Sequence, residues 1–268
     1  MRRTPGPGEI RWDPDARQLD AAALQGIDGA INLAGENIAT RWTDRARERI
    51  RTSRIMGTTL LAETMAGLSP RPRVLISVSA VGFYGDRGEE VLTEESGPGQ
   101  GFLPQLAQEW EGAAQPARRA GIRVVHPRFG IVLSGDGGAL EKMLPPFRLG
   151  VGGRLGSGKQ WMSWIAMDDV IGALLHLLRT ETLEGPVNFT APGAVRNAEF
   201  TRCLGKVLGR PTIFPVPTAA LYLLYGREMP REALLASTRV TPRRLEQSAY
   251  RFRFPELETA LKRVLSAE

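Results

Sequence analysis

Ser79 and Tyr84 share one short stretch, Ser79-Ala80-Val81-Gly82-Phe83-Tyr84-Gly85, directly after the apolar run Arg73-Val74-Leu75-Ile76-Ser77-Val78. A hydroxyl leaving the carboxyl end of a parallel strand stands where ligands bind in open α/β sheets, and it can polarise a substrate oxygen. Tyr84 is a candidate proton donor from the same loop; packing of its ring against the sheet end is the competing reading. His126 follows a strand and precedes Pro127, so it either faces the cleft or finishes the strand, and His176 lies in an apolar helical stripe and reads as structural. The single cysteine, Cys203, falls in the helical pattern Phe200-Thr201-Arg202-Cys203-Leu204 and reads as core rather than nucleophile. One cysteine and two histidines exclude an internal disulfide framework and leave little for a zinc site, so no metal is expected.

Two glycine-rich patterns need weighing. Gly153-Arg154-Leu155-Gly156-Ser157-Gly158-Lys159-Gln160 resembles G-x-x-x-x-G-K-[ST], but Gln160 lacks the magnesium-holding hydroxyl. Leu144-Pro145-Pro146-Phe147 before it and Trp161-Met162-Ser163-Trp164 after it are not the strand and helix that a phosphate loop requires. The same flanks defeat the G-x-x-G-x-x-G spacing of Gly150, Gly153 and Gly156. A surface loop over the cleft is the preferred reading.

The elements that must position these residues alternate between short β-rich and longer helical segments, the pattern of an α/β fold with a mainly parallel sheet. Strands are expected at Glu9–Trp12, Gly29–Leu33, Arg73–Ser79, Ile122–His126 and Val187–Thr190. Helices are expected at Thr43–Ala66, with Thr43 as cap, at Phe102–Ala120, and after Asp168 as the cap of a stripe through Val170, Ile171, Leu174, Leu175 and Leu178. Beyond about Pro192, helical segments separated by prolines take over: Asn197–Leu208, Thr218–Tyr225, Arg231–Ser237, Pro242–Gln247 and Glu256–Leu265. The expected division is residues 1–192 as an α/β domain and residues 193–268 as a smaller helical lobe packed against it.

At 268 residues and 42% apolar content the chain can bury a sizeable core. Its net charge of +6 comes from dispersed arginines without aromatic interleaving, which argues against nucleic acid as a partner. No apolar run approaches a membrane span and the start has no secretory h-region, so a cytoplasmic protein acting on a small molecule is expected.

Several motifs in order resemble the extended short-chain dehydrogenase/reductase superfamily, and within it the atypical branch labelled the NAD(P)-dependent epimerase family. They are Asn32-Leu33-Ala34-Gly35-Glu36-Asn37-Ile38, Arg41-Trp42, Ser53-Arg54, Gly57-Thr58, Ser79, Trp110-Glu111, Gly156-Ser157-Gly158 with Gln160, and Trp164-Ile165. Asn197-Ala198-Glu199-Phe200 and Phe254-Pro255-Glu256-Leu257 extend the match through the C-terminal lobe, a helical domain of unknown function in that branch. The resemblance implies a Rossmann-like doubly wound parallel sheet whose first strand is central. Here the family's first strand and Gly-rich loop are missing upstream of Gly29, a length of about one βαβ unit, roughly 30 residues. Thr4-Pro5-Gly6-Pro7-Gly8 rules out a phosphate-cradling helix in their place. The expectation is a chain shortened at its N-terminus or a start codon placed late.

By the same comparison Arg2 and Arg3 end the second strand, where basic residues pair with the 2′-phosphate of NADP and an acidic residue would select NAD. NADP is therefore the expected cofactor, with Asn32, Leu33, Ala34 and Gly35 on one side of it and Pro127 and Arg128 lining its nicotinamide side. Ordinary members use a serine with a Tyr-x-x-x-Lys pair. Tyr84, Tyr222, Tyr225 and Tyr250 are followed four residues later by Gly88, Gly226, Met229 and Phe254, so none has the lysine. Leu103 and Ala107 stand where the pair would be, and Arg54 stands where the superfamily has asparagine. The resemblance implies an NADP(H)-dependent oxidoreductase or epimerase-like protein in which Ser79 polarises a substrate oxygen, Arg54 assists and Tyr84 is a candidate donor. The alternative is a non-catalytic protein that binds NADP(H) as a structural or sensing ligand. Trp161-Met162-Ser163-Trp164 replaces the arginine-bearing stretch of the sugar-nucleotide enzymes, so sugar nucleotides are not carried over. Helices Thr43–Ala66 and Phe102–Ala120 are the surface a homodimer would use.

Overall fold

A computed structural model describes residues 6–266. Its sheet is built on strands β1 (Gly29–Asn32), β2 (Val74–Ser77) and β3 (Arg123–Phe129). Further along the chain come β4 (Ile131–Leu133), β5 (Trp164–Ala166) and β6 (Gly185–Phe189). The main sheet runs in the order β6-β3-β2-β1 with every pairing parallel, and β4 pairs with β5, also in parallel. All four residues of β2 are buried, as a strand covered on both faces must be. Gly29 is required at the head of β1: a Cβ there would lie 2.6 Å from Val74 Cγ1 and 2.8 Å from the Val74 carbonyl oxygen. β1 ends the sheet among the described residues, and the side chains of Ile31 and Leu33 beside it are exposed.

Helix α1 (Asp44–Ala66) begins where Thr43 Oγ1 accepts a hydrogen bond from the Ala46 N–H, and it buries Ile50, Leu61 and Met65. The expected helix Phe102–Ala120 is two helices, α2 (Phe102–Gly112) and α3 (Gln115–Arg119). Pro116 explains the break, since it supplies no N–H to a continuing helix and suits a new first turn. Helix α4 (Gly138–Arg148) was not foreseen because Pro145 and Pro146 lie inside it. Helix α5 (Met167–Arg179) is preceded by Ala166, not capped by Asp168; Asp168 sits in the first turn, where its charge complements the helix N-terminus. The expected strand Glu9–Trp12 is instead a small antiparallel hairpin of Trp12–Asp13 with Gln18–Leu19, apart from the main sheet and laid on α1. Its ladder cannot extend further because Asp13-Pro14-Asp15 turns the chain at once.

The C-terminal segments return to this framework. Helix α6 (Asn197–Leu208) and the helix Leu257–Leu265 bury Phe200, Leu204, Leu257 and Leu261 in one cluster with Leu133, Leu140 and Trp164. Thr218–Tyr225 is helical as expected, whereas the expected Arg231–Ser237 helix is a wide turn at Pro230–Leu234. No helix among the described residues is long and apolar enough to cross a membrane.

Candidate functional site

The polar residues gather at the carboxyl end of the sheet. β2 loses its place beside β1 at Val78, whose N–H donates to the Asn32 carbonyl, and the chain then re-pairs with β3 through Ser79 and Ala80. The register is the one β2 already holds with β3, Val74 opposite Arg123, and it puts Ser79 level with Arg128. Ser79 Oγ donates to Glu111 Oε1 at 2.8 Å, and Arg128 holds the same carboxylate with both nitrogens of one edge, Nε to Oε1 at 2.8 Å and Nη2 to Oε2 at 2.9 Å. Arg128 Nη1 donates to the Tyr84 hydroxyl at 3.0 Å, which donates to Asn188 Oδ1 at 2.7 Å. The ring of Phe83 lies 3.4 Å from Arg128 Cζ. A chain of charge-assisted bonds thus runs from Ser79 into the interior, with every donor assigned an acceptor.

Burial decides what each member can do. Tyr84 is fully buried and its hydroxyl is pushed above the ordinary tyrosine value by desolvation, against the pull of Arg128. Burial works against the charge of Arg128, and the Glu111 carboxylate more than restores it. Arg128 and Pro127 lie inside the sheet, so Arg128 supports Glu111 instead of meeting the open edge. His126 is also internal, with Nδ1 3.1 Å from the Ser77 carbonyl, and burial lowers its pKa; it lies within β3, neither facing the cleft nor ending the strand. The network ends at Glu94, whose Oε1 accepts from the N–H groups of Asn188 and Arg244 while Oε2 is buried without a partner.

The loop after β1 is shaped by Asn32. Its Oδ1 accepts from the Ala34 N–H at 3.2 Å and its Nδ2 donates to Thr58 Oγ1 at 2.9 Å, which also receives Trp110 Nε1 at 3.0 Å. Leu33 is exposed and Gly35 lies over the guanidinium of Arg54. Arg54 Nη1 donates to the carbonyls of Glu36 and Ile50, and its Cζ lies 4.9 Å from the centre of the Trp110 ring. Arg54 and Ser79 are therefore anchored to consecutive residues of α2, Trp110 and Glu111. Arg2 and Arg3 lie outside the described residues.

Glu111 and Thr58 belong to motifs of the resemblance, Trp110-Glu111 and Gly57-Thr58, without a role of their own, and Asn188 and Glu94 carry no signal of a site in the sequence. The adjacency of Trp110 to Glu111 was the available clue, but a carboxylate's partners on other strands are set by tertiary pairing. The near-match to a phosphate loop, Gly153–Gln160, is a turn tied to the C-terminal segments: Gln160 Nε2 donates to the carbonyls of Leu155 and Leu234, and Leu155 bridges to Val216.

Residues 11–189 match the model of the NAD dependent epimerase/dehydratase family. The chain belongs to that family. Residues 216–264 match a second model, a domain of unknown function called DUF1731. An epimerase family protein of Mycobacterium tuberculosis, MT2273, is 41% identical over 263 residues, 97% of this chain and 86% of its own length. The crystal structure of human epimerase family protein SDR39U1 (isoform 2) with NADPH has a TM-score of 0.91 and 37% identity, covering 100% of this chain and 90% of that one. A nucleoside-diphosphate sugar epimerase from Corynebacterium glutamicum has a TM-score of 0.79 and 38% identity, over 99% of this chain and 52% of its own. The fold is thus the α/β Rossmann-like parallel sheet described above.

Proposed function

We propose that this chain binds NADP(H) and acts as an oxidoreductase or epimerase-like enzyme on a small carbonyl or hydroxyl compound. The observation that carries the reading is the Ser79–Glu111–Arg128 chain at the carboxyl end of a parallel sheet, in a family whose human member was solved with NADPH. The residues present fit a dinucleotide on this side: the loop Asn32–Gly35 follows the carboxyl end of β1, Asn32 Oδ1 shapes it through the Ala34 N–H, and the Leu33 side chain is exposed beside it. Asn32, Leu33, Ala34 and Gly35 would hold it, and Arg2 and Arg3 are proposed to favour its 2′-phosphate. When bound, a nicotinamide accepts or returns a hydride.

The protein's own part is proton handling and orientation. Ser79 directs its hydroxyl proton at Glu111, so toward a ligand its oxygen offers lone pairs and accepts from a substrate hydroxyl. A proton taken up at Oγ has a carboxylate waiting 2.8 Å away. Arg128 fixes that carboxylate, and Tyr84 positions Arg128 from behind. The burial of Ser79, only 2% exposed, favours a second reading in which the cofactor is a structural or sensing ligand and no turnover occurs.

Calorimetric titration with NADPH and NADH tests the binding. Tighter binding of NADPH is expected; absence of heat with both would sink the cofactor assignment. Turnover with a panel of carbonyl and hydroxyl compounds, lost in Ser79→Ala with NADPH binding retained, separates the enzyme from the sensor.

A further inference from the structure

Arg54 is a half-buried cation that, among the described residues, has no carboxylate hydrogen-bonded to it. The other interior guanidiniums are answered. Arg128 has Glu111, and Arg123 donates from two nitrogens to the carbonyls of Leu183 and Leu177 beside Glu181 and Glu184. Arg54 commits only Nη1, at 3.0 Å to the Glu36 carbonyl and 3.1 Å to that of Ile50. The nearby Glu36 carboxylate leans instead toward Arg49, at 3.7 Å. Desolvation brings the Arg54 pKa down to about 10, with Glu36 only partly opposing it. Charge taken from water without a partner is costly, so a site that keeps it has a ligand to gain.

The geometry says which part of the group is free. A Cβ on Gly35 would lie 3.0, 3.1 and 3.3 Å from Cζ, Nη2 and Nη1, so the guanidinium lies flat beneath that glycine. The Trp110 ring packs against it as well, 4.9 Å from centroid to Cζ. A guanidinium covered on its face and tied at Nη1 keeps the Nε–Nη2 edge, the side that makes paired bonds to oxyanions. Arg128 uses that same edge on Glu111.

We propose that the Nε–Nη2 edge of Arg54 seats an oxyanion of the substrate, a carboxylate or a phosphate, which makes the substrates small anionic carbonyl or hydroxyl compounds. The proposal rests on reading the cleft as a catalytic one, because it assigns the seat to substrate and not to cofactor. Two features favour substrate. Trp110, which stacks on Arg54, precedes Glu111, which holds Ser79, so one turn of α2 sets the seat and the reacting hydroxyl together. Gly35 leaves no room for a side chain between the loop and the guanidinium, so the seat is formed before ligand arrives.

Oxalate and inorganic phosphate serve as probes, titrated by calorimetry into the full chain, into Arg54→Gln, Arg54→Lys and Gly35→Ala, and into the wild type saturated with NADPH. Expected is oxalate or phosphate binding that weakens about tenfold to a hundredfold in Arg54→Gln and less in Arg54→Lys, which keeps the charge without the fork. Gly35→Ala should weaken it too by displacing the guanidinium, and it decides the matter if Arg54→Gln proves unfolded by circular dichroism. NADPH binding should be unchanged in Arg54→Gln and compatible with bound oxalate. No binding of either anion, or loss that ignores Arg54, overturns the proposal. Competition between oxalate and NADPH, with both weakened by Arg54→Gln, gives the seat to a cofactor phosphate and overturns it as well. If NADPH fails to bind the wild type while oxalate binding still depends on Arg54, the seat stands and the cofactor reading falls.

Discussion

Glu94 is a buried carboxylate whose surroundings disfavour its ionised state. Burial raises its pKa above the ordinary carboxylate value; the N–H donors of Asn188 and Arg244 and the charge of Arg244 pull in the other direction without restoring it. One oxygen, Oε2, has no partner at all. The folded state therefore binds this proton more tightly than the unfolded chain does. Its contribution to stability is fully present below the unfolded value, about 4.3, and is lost as pH rises through the folded one. Glu94→Gln keeps an oxygen for Asn188 and Arg244 and removes the titration. In urea unfolding between about pH 4 and pH 8, stability of the variant relative to wild type should rise with pH. A difference that stays constant over that range would show that Glu94 is not the group responsible. The same reasoning sets Arg128 apart, because there the buried charge has a bidentate partner and gains no such pH dependence of its own.

At the scale of elements, β1 is held by close approach, since a Cβ at Gly29 would meet both the side chain and the backbone of Val74. Gly29→Ala should therefore cost about 1–3 kcal/mol, the usual penalty of overpacking, measured as a lower urea midpoint with an unchanged slope. A midpoint equal to wild type would mean that β1 can slide away from β2. The parallel core was legible in the sequence because β2 opens on the apolar run Val74-Leu75-Ile76 and β3 holds Val124-Val125 directly after a helical segment, and α1 because Thr43 marks its start. What escaped was local chemistry overruled by packing. Pro145 and Pro146 read as a stop yet lie within α4, and Asp168 reads as a cap yet stands two residues past the cap position, Ala166. β4 and β5 are three residues long and carry no alternation to find. In the site, Ser79 was legible from its place after a strand. The partner that sets its polarity, Glu111, was not, because hydrogen bonds between a helix and a strand end leave no spacing in the chain. For Tyr84 the sequence offered a proton donor or a ring packed at the sheet end, and Phe83, Leu92 and Val240 pack around the ring.

Across the whole molecule, the segments after residue 192 are threaded through the α/β part instead of resting on it. Arg239–Val240 pairs in parallel with Val91–Leu92, and Ser163 Oγ donates to the Thr238 carbonyl while accepting from the Val240 N–H. Asp169, fully buried at the start of α5, accepts from the N–H groups of Arg253 and Phe254 and from the Tyr250 hydroxyl. Phe200 of α6 is 1% exposed within the cluster that contains Trp164 and Leu140. With core and hydrogen bonds shared in this way, neither part has a complete set of contacts alone, and unfolding should be one cooperative event. Phe200→Ala leaves a cavity in the shared cluster and should cost about 3–5 kcal/mol. Urea unfolding followed by tryptophan fluorescence and by far-UV circular dichroism should give coincident curves for wild type and variant, both moved to lower urea by the substitution. If the helical signal fell first while fluorescence held, the C-terminal helices would be an independent unit, and the cleft between Arg54 and Ser79 would have to be stable without them.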